Sequence, residues 1–392
     1  MCYNPLEVKP MKKFLAILLC SFLLAGCSEA PEAPETTVPA AAIPEETVPT
    51  ETTVPETQPP DPVGDLLYWM TLEERVGQLF LARCDEATAV EHAGKYHLGG
   101  YVLFDADIRE ETPASLREKI SAYQAAAGLP MLIAVDEEGG TVTRVSSHSA
   151  FRDSKFASPR DLYAQGGMDW VLAQEEEKCL LLSSLGINVN LGPVCDIASD
   201  PDAFMYRRSL GQDAYTTADF VSQTVALMHS NQVGSVLKHF PGYGNNTDTH
   251  TGIAVDSRTL GKLEANDLIP FAAGIEAGCG AIMVSHTIIE DMDPSLPGSL
   301  SPAVHQYLRE QMGFDGVIVT DDLVMQAITD QYGAGEAAVM AVLAGNDLLC
   351  STDYVTQYEA VLAAVLDGRI SIDTLNSAVR NVLEWKMALG LI

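Results

Sequence analysis

The chain reads as an α/β protein, a (β/α)₈ TIM barrel in a single domain, and three observations lead there. Short apolar runs recur eight times, at 79–82, 101–104, 131–135, 187–191, 235–237, 281–284, 317–319 and 347–350. They are nearly continuous rather than alternating, as strands buried on both faces of a parallel sheet are. Amphipathic helical patterns separate them, at 115–127, 170–184, 217–230, 260–277, 302–311 and 335–344, and such alternation builds βα units. No Gly-x-Gly-x-x-Gly follows the first run, which argues against an open doubly wound sheet. A last helical pattern at 373–389 is placed to seal the barrel.

Two segments precede the barrel. Residues 1–26 read as a secretory signal starting at Met11, with Lys12 and Lys13 ahead of an apolar run at 14–24. That run is too short to span a bilayer as a stable helix. Leu24-Ala25-Gly26-Cys27 follows. It resembles a bacterial lipobox, which implies cleavage before Cys27 and lipid on its thiol. Residues 28–62 hold nine prolines and eight acids with no Lys or Arg. Such a stretch cannot bury enough apolar surface to offset its ordering entropy. We expect residues 27–62 to be a lipidated Cys with an acidic, extended tether, and 63–392 to be the barrel. The barrel then lies outside the cytoplasmic membrane and meets it only through the anchor.

The full chain carries a net charge of −31, with 54 acidic and 23 basic residues. Loss of residues 1–26 removes three lysines and one glutamate, making it −33. That balance excludes nucleic acid as a partner and opposes adhesion to anionic lipid. Beyond Cys27, five cysteines remain, Cys84, Cys179, Cys195, Cys279 and Cys350. Their number is odd and their spacing wide, so they read as buried thiols rather than a disulfide framework or a zinc site. A monomer is expected.

In a barrel the loops after the strands carry the chemistry. The third run ends at Asp136-Glu137-Glu138-Gly139-Gly140, with Arg144 just beyond. The fourth ends near Pro193 and Asp196, ahead of Arg207-Arg208. The fifth ends at Lys238-His239 and opens a loop with two glycines and a proline that closes with Asp248 and His250. The sixth ends at Ser285-His286 and the seventh at Thr320-Asp321-Asp322. One polar strand end is a helix cap or a solvated loop. Five on one rim make a polar ligand site.

The mixture suits a neutral, hydroxyl-rich ligand, because Asp and His accept from hydroxyls while Arg and Lys donate. No P-loop is present, and no His/Cys/Asp cluster has metal-ligand spacing. A sugar ring fits, and glycosidic cleavage needs a carboxylate for the oxocarbenium-like transition state and an acid for the leaving oxygen. Asp321 is the carboxylate, standing where a buried strand meets the rim. Asp322 turns outward or caps the next helix. His250 is the proton donor, oriented by Asp248.

These residues resemble glycoside hydrolase family 3, in its single-domain bacterial β-N-acetylhexosaminidase form. The resemblance covers roughly residues 65–392. It rests on the loop Lys238-His239-Phe240-Pro241-Gly242 through Asp248-Thr249-His250, on Val319-Thr320-Asp321-Asp322, on Ala134-Val135-Asp136-Glu137-Glu138-Gly139-Gly140, and more loosely on Asn190-Leu191-Gly192-Pro193. It implies that Asp321 forms a covalent glycosyl-enzyme with retention, and that His250 acts as acid then base with Asp248 as partner. It also implies that Asp136, Arg144, Arg208, Lys238 and His239 bind the sugar, and that no cofactor is needed. This chain differs in a shorter loop between Gly244 and Asp248, in Tyr243 and Thr141, and in Arg207 before Arg208. The expected reaction is removal of terminal β-linked N-acetylglucosamine from glycans or peptidoglycan fragments. The alternatives are a β-glucosidase, β-xylosidase or phosphorolytic specificity, or a non-catalytic, membrane-tethered glycan-binding protein.

Overall fold

The computed structural model describes residues 60–246, 252 and 254–392. The signal, Cys27, most of the tether, and Asp248 and His250 lie outside the described residues.

Eight parallel strands form the ring: β1 (Phe80–Arg83), β2 (Gly100–Leu103), β3 (Leu132–Val135), β4 (Val189–Asn190), β5 (Gly234–Phe240), β6 (Ala281–Val284), β7 (Val317–Thr320) and β8 (Leu349–Ser351). Each pairs with the next in chain order, and β8 pairs with β1. A parallel bridge between Val319 and Leu348 joins β7 to β8 and completes the ring. The strands fall where the apolar runs placed them. β5 alone runs well past its run, through Lys238 and His239 to Phe240.

The barrel interior holds Leu81, Leu132, Val189, Val236, Met283 and Val319, one layer above another. Helices cover the outside and bury a second apolar shell against the outer faces of the strands. The last helix, Ile372–Ala388, closes the N-terminal mouth of the barrel. Its Val382 and Trp385 join the interior cluster. Trp385 lies on two glycines at strand starts: a Cβ on Gly280 would come within 2.0 Å of its ring nitrogen, and one on Gly234 within 2.9 Å of its ring. Only a residue without a side chain lets the indole sit there.

Asp61 caps the helix Pro62–Trp69, its carboxylate accepting from the Gly64 N–H at 2.8 Å. Two expectations change. The pattern at 260–277 is two helices, Leu260–Glu264 and Leu268–Glu276. Pro270 explains the break, since its missing N–H costs nothing in the first turn of a helix but removes a bond in the interior. The pattern at 302–311 is an α-helix, Pro302–Gln306, running into a π-helical turn at Tyr307–Gln311.

Candidate active site

The C-terminal strand ends surround a cavity of about 1010 Å³. Asp136, Arg144, Arg208, Lys238, His239 and Asp321 all line it, as the sequence placed them. They arrive from β3, its following loop, the loop after β4, β5 and β7. Asp248 and His250 were expected to complete the set and lie outside the described residues.

Two layers of charge form one wall. Lys238 is 2 % exposed at its side chain, and its Nζ lies 2.6 Å from both Asp136 Oδ1 and Glu138 Oε1. Arg208 donates to Glu138 through Nε at 2.9 Å and Nη2 at 2.7 Å, the forked geometry a guanidinium offers a carboxylate. Burial alone would push Glu138 up, but Arg208 and Lys238 outweigh it and hold its carboxyl well below the usual carboxylate range. Burial likewise pushes the Lys238 ammonium down, and Asp136 and Glu138 more than reverse that, so its pKa stands above the ordinary value. Both cations are thus charged at any working pH. Arg144 is looser, 3.9 Å from Asp136.

Glu137 points the other way. Its carboxylate accepts from the backbone N–H groups of Arg144 and Val145 at 2.8 and 2.7 Å and from the Ser146 hydroxyl. It therefore folds the loop that carries Arg144. The three successive acids have three separate tasks: Asp136 faces the cavity, Glu137 shapes the loop, and Glu138 sits beneath the cations.

His239 is held by a carboxylate behind it. Asp196 accepts from its Nδ1–H at 2.8 Å and its backbone N–H at 3.1 Å, and from the Tyr243 N–H at 2.7 Å. With Nδ1 carrying the proton, Nε2 is the acceptor, and Arg208 Nη2 donates to it at 3.3 Å. Lys238 and His239 both line the cavity although consecutive strand residues normally face opposite ways. The register against β6 shifts between Leu237 and Phe240, a local irregularity that re-aims side chains at active sites.

Asp321 sits at the end of β7, its N–H donating to the Val284 carbonyl and its Oδ1 accepting from the Asp322 N–H at 2.9 Å. Asp322 neither turns outward nor caps a helix. It accepts from the Thr352 hydroxyl at 2.6 Å and from the Val324 and Thr352 N–H groups, which ties the turn after β7 to the end of β8. His286, expected on the rim, is buried behind it: its Nε2–H donates to the Asp322 carbonyl at 3.0 Å, and Ser299 Oγ lies 2.6 Å from Nδ1. The Asp321 turn is therefore fixed from two sides.

Sequence reasoning missed Arg83 and Phe104 from the first two strands, where Arg83 stacks 4.5 Å over the Phe104 ring in the cavity wall. It also missed Glu138 and Asp196 as supports. The five cysteines are buried and unpaired, as expected. Among the described residues, no group of three or more His, Cys, Asp or Glu is placed to hold a metal ion.

A parallel barrel whose rim gathers a strand-end carboxylate, a buried cation pair and an oriented imidazole is suited to a neutral, hydroxyl-rich ligand such as a sugar. The chain belongs to glycosyl hydrolase family 3: residues 71–385 match the model of the glycosyl hydrolase family 3 N terminal domain. A beta-hexosaminidase from Xanthomonas campestris pv. campestris is 35% identical over 301 residues, 75% of this chain and 87% of that protein. The structure of a glycoside hydrolase family 3 beta-N-acetylglucosaminidase from a Paenibacillus species superposes with a TM-score of 0.76 at 32% identity. That match covers 82% of this chain and 63% of the Paenibacillus chain. A Beta-N-acetylhexosaminidase from Beutenbergia cavernae gives a TM-score of 0.70 at 30% identity, over 81% of this chain and 99% of its own.

Proposed function

We propose that this chain hydrolyses terminal, non-reducing β-linked N-acetylglucosamine by a retaining, two-step route. One observation carries the reading: Asp321 shares a single cavity with the Asp136, Arg208, Lys238 and His239 cluster. Asp136 accepts from sugar hydroxyls while Arg208 and Lys238 donate to them, with His239 bordering the same cavity. The Asp321 carboxylate attacks the anomeric carbon, forming the glycosyl ester as the bond to the leaving oxygen breaks. His250 gives its proton to that oxygen, then takes one from the water that cleaves the ester. Asp248 orients the imidazole. The roles of His250 and Asp248 rest on the loop resemblance. The natural substrates we propose are glycans or peptidoglycan fragments outside the cell.

A panel of nitrophenyl glycosides, run with and without phosphate, tests this reading. Release from the N-acetyl-β-glucosaminide should exceed release from glucoside and xyloside, and phosphate should not be consumed. A 2-fluoro or similar trap should label Asp321, and Asp321→Ala should abolish turnover with the fold intact. Labelling of Asp136 instead would overturn the assignment.

We also propose that Cys27 anchors the protein to the outer face of the cytoplasmic membrane as a lipoprotein, on the strength of Leu24-Ala25-Gly26-Cys27. Among the described residues, no helix is long and apolar enough to cross a membrane. Cys27→Ser should release or mislocalise the protein. Unchanged fractionation of that variant, with no lipid label on the wild type, would count against the anchor.

A further inference from the structure

We propose that Glu138 is a positioning residue for catalysis: from beneath the cavity wall it fixes the Arg208 guanidinium and the Lys238 ammonium where they meet the sugar. In doing so it spares Asp136 from neutralising both cations.

The placement of Glu138 is rigid. Its N–H and that of Gly139 both donate to the Val142 carbonyl, closing a tight turn at Gly139 (φ +100°) and Gly140 (φ +65°). Buried Lys178 donates to its carbonyl at 3.2 Å and is itself paired with Glu175 at 2.6 Å. Gly139 is packed closely on one side, where a Cβ would meet the Ala157 carbonyl oxygen at 2.3 Å, so only glycine fits this turn. The side chain is 2 % exposed, against 19 % for Asp136. Glu138 therefore has no access to substrate and acts only through the cations above it.

Charge explains why a carboxylate is needed there. Two cations and two carboxylates share the wall, and Lys238 lies 2.6 Å from both acids. Without the Glu138 charge, Lys238 and Arg208 would repel one another in a poorly solvated place. Both would then turn toward Asp136, whose oxygens the sugar hydroxyls need. A neutral side chain of the same shape fills the space but leaves that conflict, so packing and positioning make different predictions.

The proposal rests on the sugar-cleaving reading above, and wild-type turnover of the same glycoside, measured alongside, tests that reading by itself. Glu138→Gln should lower kcat/KM by about 10²-fold or more, in line with the loss of one member of a buried charge pair. It should also change the pH profile. With one of its two carboxylates gone, Lys238 loses part of what offsets its burial, so the alkaline fall in kcat/KM should move to lower pH. Glu138→Asp keeps the charge and should retain the wild-type pH profile with a smaller loss of rate. Circular dichroism and thermal melting establish that each variant folds. Glu138→Gln activity within about threefold of wild type overturns the proposal. So do equal losses and identical pH profiles in the two variants, which would reduce Glu138 to a packing role. If Glu138→Gln does not fold, Glu138→Asp decides alone: a fall of at least about tenfold in kcat/KM with little change in melting temperature supports positioning, and unchanged kinetics overturn it.

Discussion

Replacing Arg208 by lysine keeps the charge and removes the fork. Arg208 makes two bonds to Glu138, at 2.9 and 2.7 Å, and a third contact to His239 at 3.3 Å. An ammonium on a flexible stem reaches one of the two Glu138 oxygens and loses its hold on His239. A charge-assisted bond contributes a net of about 1.5–3 kcal/mol. Losing one of them together with the weaker histidine contact should cost about 2–4 kcal/mol. Felt in the transition state, that lowers kcat/KM by about 30–1000-fold. Arg208→Ala should be worse, because it leaves Glu138 buried with one partner instead of two, and breaking a buried pair costs about 3–5 kcal/mol. The assay is steady-state hydrolysis of a nitrophenyl N-acetyl-β-glucosaminide, with kcat and KM resolved separately and the melting temperature measured on the same preparations. If Arg208→Lys stays within about threefold of wild type in kcat/KM, the fork is not holding the sugar site and the reasoning fails.

Asp196→Asn keeps the shape of the side chain but sets an amide donor against N–H groups. It should cost about 10²-fold in kcat/KM with the fold retained, through loss of the His239 orientation; wild-type kinetics would refute that role. Lys386 is buried with only Gln78 beside it at 2.7 Å, and burial lowers its pKa to about 7. Between that value and the ordinary lysine value of 10.5 the unfolded chain holds a proton the native one lacks, so stability should rise with pH across that window. Relative to Lys386→Met in urea titrations, the wild type should gain about 2 kcal/mol between roughly pH 7 and 9, and a flat difference would refute the buried neutral amine. Gly280→Ala drives a methyl group into Trp385 and should cost about 1–3 kcal/mol in stability while leaving kcat/KM unchanged, because the plug lies at the mouth opposite the sugar site. A kinetic defect without a stability defect would contradict that separation.

The strands were legible because parallel strands buried on both faces are continuous in apolar residues, and every such run lies in the ring. Polar residues at their ends were legible for the same reason: Lys238, Asp136 and Asp321 stand out against the apolar residues before them. What a linear pattern cannot carry is direction. Asp136, Glu137 and Glu138 look alike in the sequence, yet one faces the cavity, one folds a loop and one lies beneath two cations. The Gly139-Gly140 pair after them was the available signal, since a tight turn leaves no room for three acids all to face water. Asp322 was misjudged because its partner, Thr352, is 30 residues away and lies just past the neighbouring strand. His286 looked like a rim residue because strand ends were taken as equivalent, whereas its ring is enclosed by Ser299 and the Asp322 carbonyl.

The first two helices of the barrel domain, Pro62–Trp69 and Leu72–Gln78, are bound to its last. Asp61, which caps the first, pairs with Arg380 at 2.8 Å, and Arg75 of the second reaches Asn376 at 3.1 Å across a sequence separation of 301. The chain thus comes back against the helices with which the domain begins. A linker from residue 392 to residue 60, with new ends opened in an exposed connection elsewhere on the ring, would make a permuted barrel. Such a permuted barrel would keep every strand pairing while reversing which contacts are local and which are distant. The contact between these helices, among the longest in sequence separation here, would become one of the shortest, and folding could begin at the plugged mouth.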